Sequence, residues 1–236
     1  MSRNGYPCPS STIPTPMSNP VYLPPPEHPL QYLHIDPHFV VVSKPSGLLS
    51  VPGRGAEKQD CLWRRVVHDF PDALTVHRLD METSGLMVLA RDAETHRRLS
   101  GLFHDRLVEK RYVAMVDGLP TSDRGQIDLP LLADWPNRPR QKVDFEGGKP
   151  SLTRFEVMAR YPDRDVSRIA LMPETGRSHQ LRVHLLALGH PILGDALYGS
   201  PSVQAKAERL LLHAEFLAFR HPHSGARVAC ECPAPF

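Results

Sequence analysis

Short runs of β-branched and aromatic residues alternate along this chain with stretches whose apolar positions recur every three or four residues. The runs at 33–35 and 39–42 flank the turn-forming string Asp36-Pro37-His38 and predict a hairpin. Leu62, Val66 and Phe70 share one helical face after Asp60, which suits an N-cap; a helix is expected over 60–70, ended by Pro71. Asp92 likewise predicts a helix through Phe103, with Leu99, Leu102 and Phe103 as a narrow apolar stripe and a basic opposite face. Strands bounded by Gly, Pro or Asp are expected at 112–116, 126–129, 153–158 and 167–172. Ser178 predicts the cap of a further helix through Leu188, closed by Gly189 with Pro191 beyond. On it Leu181, Leu185 and Leu188 share one face, while His179 and Arg182 lie together on another. Strands at 211–219 and 226–232, joined through Pro222-His223-Ser224-Gly225, complete the pattern. There is no internal repeat. The fold class is α+β, a central mixed and mostly antiparallel sheet flanked by helices and loops.

Composition changes this picture at one end only. Nine of the first thirty residues are proline, too dense for helix or sheet, so 1–30 reads as a disordered or loosely draped arm and 31–236 as the folded domain. A chain of 236 residues can bury a substantial core. The net charge of +2, from 28 Lys+Arg against 26 Asp+Glu, announces no polyanion partner unless cations cluster locally. Cys8, Cys61, Cys230 and Cys232 have neither zinc-ribbon nor disulfide-framework spacing, which fits a reducing cytoplasm. No apolar run approaches the roughly 20 residues a membrane span needs, so a soluble protein is expected.

Chemistry concentrates in His77-Arg78-Leu79-Asp80-Met81-Glu82-Thr83-Ser84-Gly85, a string of ionisable groups between the apolar runs 74–76 and 86–90. Near a core a carboxylate must find a cation or hydrogen-bond donors, or else take up a proton. Asp80 therefore needs a partner. A second cation-rich string, Asp134-Trp135-Pro136-Asn137-Arg138-Pro139-Arg140-Gln141-Lys142, sets three cations beside an indole on a loop that proline keeps extended, a composition suited to RNA. Arg97, Arg98, Arg106, Lys110 and Arg111 form another cluster, equally explained as a solvated helix face.

The string from His77 to Gly85 resembles the signature of the RluA family of RNA pseudouridine synthases, in which the matching aspartate is catalytic. Resemblance to that family implies that Asp80 acts on the target nucleotide, either as nucleophile at the sugar C1′ or as base at the neighbouring sugar proton. In Thr175-Gly176-Arg177-Ser178-His179-Gln180-Leu181-Arg182-Val183-His184 it implies that Arg182 is the ion-pair partner of Asp80. Arg177 then suits a phosphate, or a plain surface role. Tyr112 of Lys110-Arg111-Tyr112-Val113-Ala114 matches the tyrosine that stacks on the base, against the ordinary reading of a half-buried strand residue. Arg78 matches the position proposed to fill the gap left by the extruded nucleotide, with a structural salt bridge as the alternative. Leu211 matches an apolar pocket position, or is plain core. Lys44-Pro45-Ser46-Gly47-Leu48-Leu49 matches a motif that shapes the wall behind the site.

These motifs span 33–236, and the resemblance is closest to the small dual-specificity members, which act on a 23S rRNA hairpin and on the first anticodon-loop nucleotide of certain tRNAs. Larger relatives carry an N-terminal S4-type RNA-binding module, from which this chain departs with its short arm. The resemblance implies an isomerase with RNA as partner, without membrane, metal or other cofactor, acting as a monomer. Three rivals define what the structure must decide. A glycoside hydrolase would pair Asp80 with Glu82; a metallohydrolase would gather His179, His184 and His190; a catalytically silent RNA-binding module would retain the site residues by coincidence.

Overall fold

A computed structural model of the chain describes residues 22–236. The predicted hairpin forms from β1 (Gln31–Ile35) and β2 (Phe39–Lys44), paired antiparallel. Then follow α1 (Leu62–Asp69), β3 (Leu74–Thr75), β4 (Ser84–Ala90), α2 (Ala93–His104), β5 (Glu109–Asp117) and β6 (Arg124–Asp128). The remaining elements are β7 (Leu131–Ala133), β8 (Gln141–Val143), β9 (Leu152–Tyr161), β10 (Val166–Pro173), α3 (Gln180–Ala187), α4 (Pro201–Gln204), β11 (Leu212–Arg220) and β12 (Arg227–Glu231).

Among the described residues ten strands form one sheet, in the order β1-β2-β4-β11-β5-β10-β9-β6, with β3 paired to β4 and β12 to β11; β7 and β8 form a separate ribbon. All pairings are antiparallel except that of β4 with β11. The sheet is thus mixed and mostly antiparallel, as the pattern predicts.

The apolar runs of β2 and β4 are continuous because both faces of the sheet are covered there. Phe39, Val41, Leu86 and Val88 pack with Leu99 of α2, whereas Val40, Val42, Met87 and Leu89 pack with Leu62 and Val66 of α1. In the other half, Ala114, Val116, Ile169 and Leu171 pack with Leu181 and Leu185 of α3. Tyr112 touches both the α1 and α3 clusters.

Asp92 caps α2 as predicted, its side chain accepting from the Thr95 N–H. The other two caps differ. Cys61 is the N-cap of α1, and Asp60 instead accepts from Arg65 at 2.9 and 2.6 Å. His179, in a left-handed conformation, replaces Ser178 as the N-cap of α3. Leu188 lies past the end of that helix and is exposed, unlike Leu181 and Leu185. The proline-rich segment is docked where it is described: Tyr22 is buried, its hydroxyl bonded to Asp60 O and Leu49 N, and Arg65 donates to Pro25 O. Residues 1–21 of the expected arm lie outside the described residues.

Candidate active site

The His77–Gly85 string connects β3 to β4, and β4 begins where it pairs in parallel with β11, Ser84 opposite His213 and Gly85 opposite Ala214. The backbones approach so closely that a Cβ on Gly85 would lie 2.3 Å from the Ala214 carbonyl oxygen, at a φ of 111 that favours glycine. Anchors then fix the loop residue by residue. His77 Nε2 accepts from Val88 N–H at 3.1 Å and its ring stacks on Phe103. Burial, with a smaller push from Lys110, lowers its pKa to about 3 and keeps it neutral. Ser50 bonds both backbone groups of Leu79. Lys44, fully buried, donates to the carbonyls of Pro45, Leu48 and Met81 at 2.8, 2.7 and 2.8 Å. Three acceptors match the three donors of an ammonium, which opposes the burial that lowers this lysine's pKa to about 7. The wall role expected of Lys44 thus has a physical form: it ties the loop before α1 to the turn that carries Asp80.

Asp80 projects from this turn into a cleft also lined by Arg78, Tyr112, Arg177, His179, Arg182 and Leu212. It is not a buried group, as its position between apolar runs suggested; its side chain is 30% exposed. Arg182 Nη1 approaches Asp80 Oδ2 at 3.6 Å, an ion pair as predicted, but the stronger partner of Arg182 is Asp195. Nε and Nη2 of Arg182 donate to the two oxygens of Asp195 at 2.8 and 2.6 Å, a bidentate pair with both side chains buried. The N–H groups of Leu197 and Tyr198 also donate to Asp195 Oδ1. Burial works against the Arg182 charge, but these contacts with Asp195 and then Asp80 raise its pKa further. The guanidinium is therefore a permanent cation aimed at the cleft. Gln180, also buried, holds the preceding loop: it accepts from Thr175 and Arg177 and donates to Leu152 O and Thr153.

Tyr112 reaches the cleft from β5, where burial and secondarily Asp80 push its phenol pKa up and keep it un-ionised. Arg78 is exposed at the cleft and has no hydrogen-bond or ion-pair partner among the described residues, so the salt-bridge alternative is not realised. Arg177 is also exposed, and among the described residues its guanidinium makes only a 3.4 Å bond to Pro150 O. Leu211 is not a pocket residue. It packs with Met115, Leu193 and Val203, while Leu212, one residue on and therefore facing the opposite side of the sheet, lines the cleft.

Trp135, Arg138 and Arg140 sit on the loop between β7 and β8, which is not extended: Trp135–Asn137 form a 3₁₀ turn and Asp134 bonds Arg140 O across its base. Trp135 is 67% exposed, with the Arg138 guanidinium 3.5 Å from its ring centroid. Arg140 stacks on Tyr198, whose ring also faces Arg182. In the second basic cluster, Arg97 and Arg98 pair with Glu94 on the surface of α2. Arg106, Lys110, Arg111 and Arg154 line a groove that shares Lys110 and Pro173 with the cleft.

Two rivals lose their geometry. Glu82 does not line the cleft with Asp80. His184 bonds Thr153 and Leu129 O, His190 bonds Asp117 O and His179 bonds Tyr198, so the three histidines share no centre. A different trio, His38, Asp92 and His223, does converge, but as part of the α2 cap: Asp92 already accepts from Thr95 and His38, and His223 bonds Thr95. Sequence reasoning missed Asp195 and Tyr198. Asp195 closes the run from Gly189 through Gly194, which matches the family, but no local pattern says which carboxylate a distant helix will face.

The sequence and the fold have counterparts in known proteins. A family model described as RNA pseudouridylate synthase matches residues 38–187. The dual-specificity RNA pseudouridine synthase RluA of Escherichia coli K12 is 53% identical over 91% of this chain and 98% of its own length. The protein of the same description from Pasteurella multocida is 50% identical over the same shares. Among solved structures, human RNA pseudouridylate synthase domain containing 1 superposes with a TM-score of 0.75 at 30% identity, over 91% of this chain and 87% of that one. Human domain containing 4 gives 0.67 at 26%, over 86% and 88%. With Asp80, Tyr112 and Arg182 converging in one cleft, the chain belongs to the RluA family of RNA pseudouridine synthases, enzymes that isomerise uridine within RNA.

Proposed function

We propose that this enzyme acts on two RNA contexts, a 23S rRNA hairpin and the first anticodon-loop nucleotide of tRNAs, with residues 31–236 as one catalytic unit. The observation that carries this reading is near full-length similarity to a relative named for dual specificity. In this reading the target nucleotide leaves its stack and enters the cleft, where Tyr112 faces the base and Asp80 faces the sugar. Asp80 takes part in breaking the glycosidic bond as nucleophile or base, and the detached uracil rotates against Tyr112 before rejoining through carbon. Arg182 keeps positive charge beside the carboxylate throughout. Arg78, exposed at the cleft rim, stacks in the vacated place. Arg177 and the groove of Arg106, Lys110 and Arg154 follow the phosphates, while the exposed Trp135 with Arg138 and Arg140 meets an unpaired base.

Action as a monomer is part of this reading. Cys61, Cys230 and Cys232 are free thiols, in keeping with work in the cytoplasm, and no helix among the described residues is long and apolar enough to cross a membrane. The test is to incubate the purified protein with the two RNA stem-loops separately and map pseudouridine in each. Product at both sites is expected; product at one alone would reduce the reading to single specificity, and product at neither would overturn it.

A further inference from the structure

Beyond the three family residues, one titratable side chain faces Asp80 at close range. His179 Nε2 lies 3.9 Å from Asp80 Oδ2, and the side chain is only 12% exposed. Its backbone has φ 54 and ψ 17, a left-handed conformation uncommon for a residue with a Cβ, held at the start of α3. Its Nδ1 is 2.7 Å from the Tyr198 hydroxyl. That hydroxyl already accepts from the Gln141 N–H at 2.7 Å, so its own proton is free to point at Nδ1. An imidazole whose Nδ1 accepts carries its proton on Nε2, the nitrogen turned to Asp80. Hydrogen bonds run from β8, at the foot of the Trp135 loop, through Tyr198 to His179, whose Nε2 then faces Asp80 Oδ2 at 3.9 Å, beyond hydrogen-bond range.

The groups around the ring leave it neutral. Burial lowers the His179 pKa, against the pull of Asp80 and Asp195 and with the push of Arg182 and Arg78. Arg140, on the same loop as Gln141, covers the far side of Tyr198. Both nearest donors, His179 Nε2 and Arg182 Nη1, address the same oxygen of Asp80, Oδ2.

We infer that His179 is a positioning residue: with Arg182 it turns Oδ2 of Asp80 inward and leaves Oδ1 for the sugar, and Tyr198 with Gln141 sets the tautomer that makes this possible. The inference rests on Asp80 being the reacting carboxylate. If Asp80→Asn retained activity, that reading would fail first, and separately.

His179→Asn is the main test, because asparagine tolerates a left-handed backbone but cannot reach Asp80 with a donor. Its single-turnover rate is expected to fall by up to about 100-fold, the scale for a mispositioned reactive group, with RNA affinity and melting temperature little changed. His179→Gln, whose amide reaches the Nε2 position, should recover part of that rate. Nitrogen NMR of isotope-labelled histidine should show the wild-type ring protonated on Nε2, and Tyr198→Phe should remove that preference. A wild-type rate in His179→Asn would overturn the inference, as would a Gln variant no better than Asn or a ring protonated on Nδ1.

Discussion

Asp195 and Asp80 both face Arg182, the first through a bidentate pair at 2.6 and 2.8 Å and the second through one oxygen at 3.6 Å. Asp195 is 1% exposed and also takes two backbone N–H groups; Asp80 stands at the cleft with a side chain 30% exposed. The difference separates a buried structural pair from a carboxylate left open to the cleft. A buried carboxylate that accepts four hydrogen bonds is out of a substrate's reach, whereas one held at long range by a cation at the cleft keeps an oxygen free. Arg182 joins the two regions: Asp195 fixes the guanidinium, and the fixed guanidinium faces Asp80.

The comparison breaks most severely at Arg182. Arg182→Ala strands Asp195 in the interior, and removing one partner of a buried pair costs about 3–5 kcal/mol. We expect denaturant unfolding to show that loss together with loss of activity; a variant of full stability would contradict the pairing. Asp195→Ala should destabilise on the same scale, although Asp195 does not line the cleft.

Acid is a second lever on the scaffold. Burial lowers the pKa of His77, His184 and His213 in the folded chain, whereas the unfolded value is about 6.5. Between the two values the unfolded state binds protons that the folded state does not. Stability is therefore highest above about pH 6.5 and falls on acidification, His77 contributing up to about 1.4 kcal/mol per pH unit and His184 and His213 acting in the same direction. Unfolding free energies measured from pH 7.5 to 5 should decline, with His77 alone bringing the slope towards about one proton at the acid end. A flat profile would show that these rings are not held neutral.

The Trp135 loop supplies a smaller effect, confined to the RNA side. Trp135→Ala should change stability by less than about 0.5 kcal/mol, because the indole is exposed. RNA affinity should weaken by about 1–3 kcal/mol, the range for losing a stacked base. Equal binding by the variant would remove Trp135 from the interface.

Much of the sheet was legible because β2, β5, β9 and β10 carry alternating or β-branched runs bounded by turn residues, and the apolar stretch of β11 is followed by the turn at Pro222 to Gly225. The motif loop was legible through the family string it resembles. What escaped was long-range or depended on one residue of register. Leu211 and Leu212 are adjacent leucines at the start of the run expected as a strand, which begins at Leu212, and only the pairing with β4 and β5 shows that the second faces the cleft. Asp60 and Ser178 were each one residue from the true cap, since Cys61 and His179 carry no sequence signal for capping. Asp195 is thirteen residues from Arg182, and its role exists only because α3 and the following turn fold back on each other.

The mildest change to the fold should have the greatest effect on the chemistry. Asp80→Asn keeps the shape of the side chain, leaves the Arg182–Asp195 pair intact and should alter stability by less than about 0.5 kcal/mol. Pseudouridine formation by this variant, measured in single turnover beside its melting temperature and RNA affinity, tests the account most directly. No product from a folded, RNA-binding protein is the predicted result; turnover near the wild-type rate would contradict it.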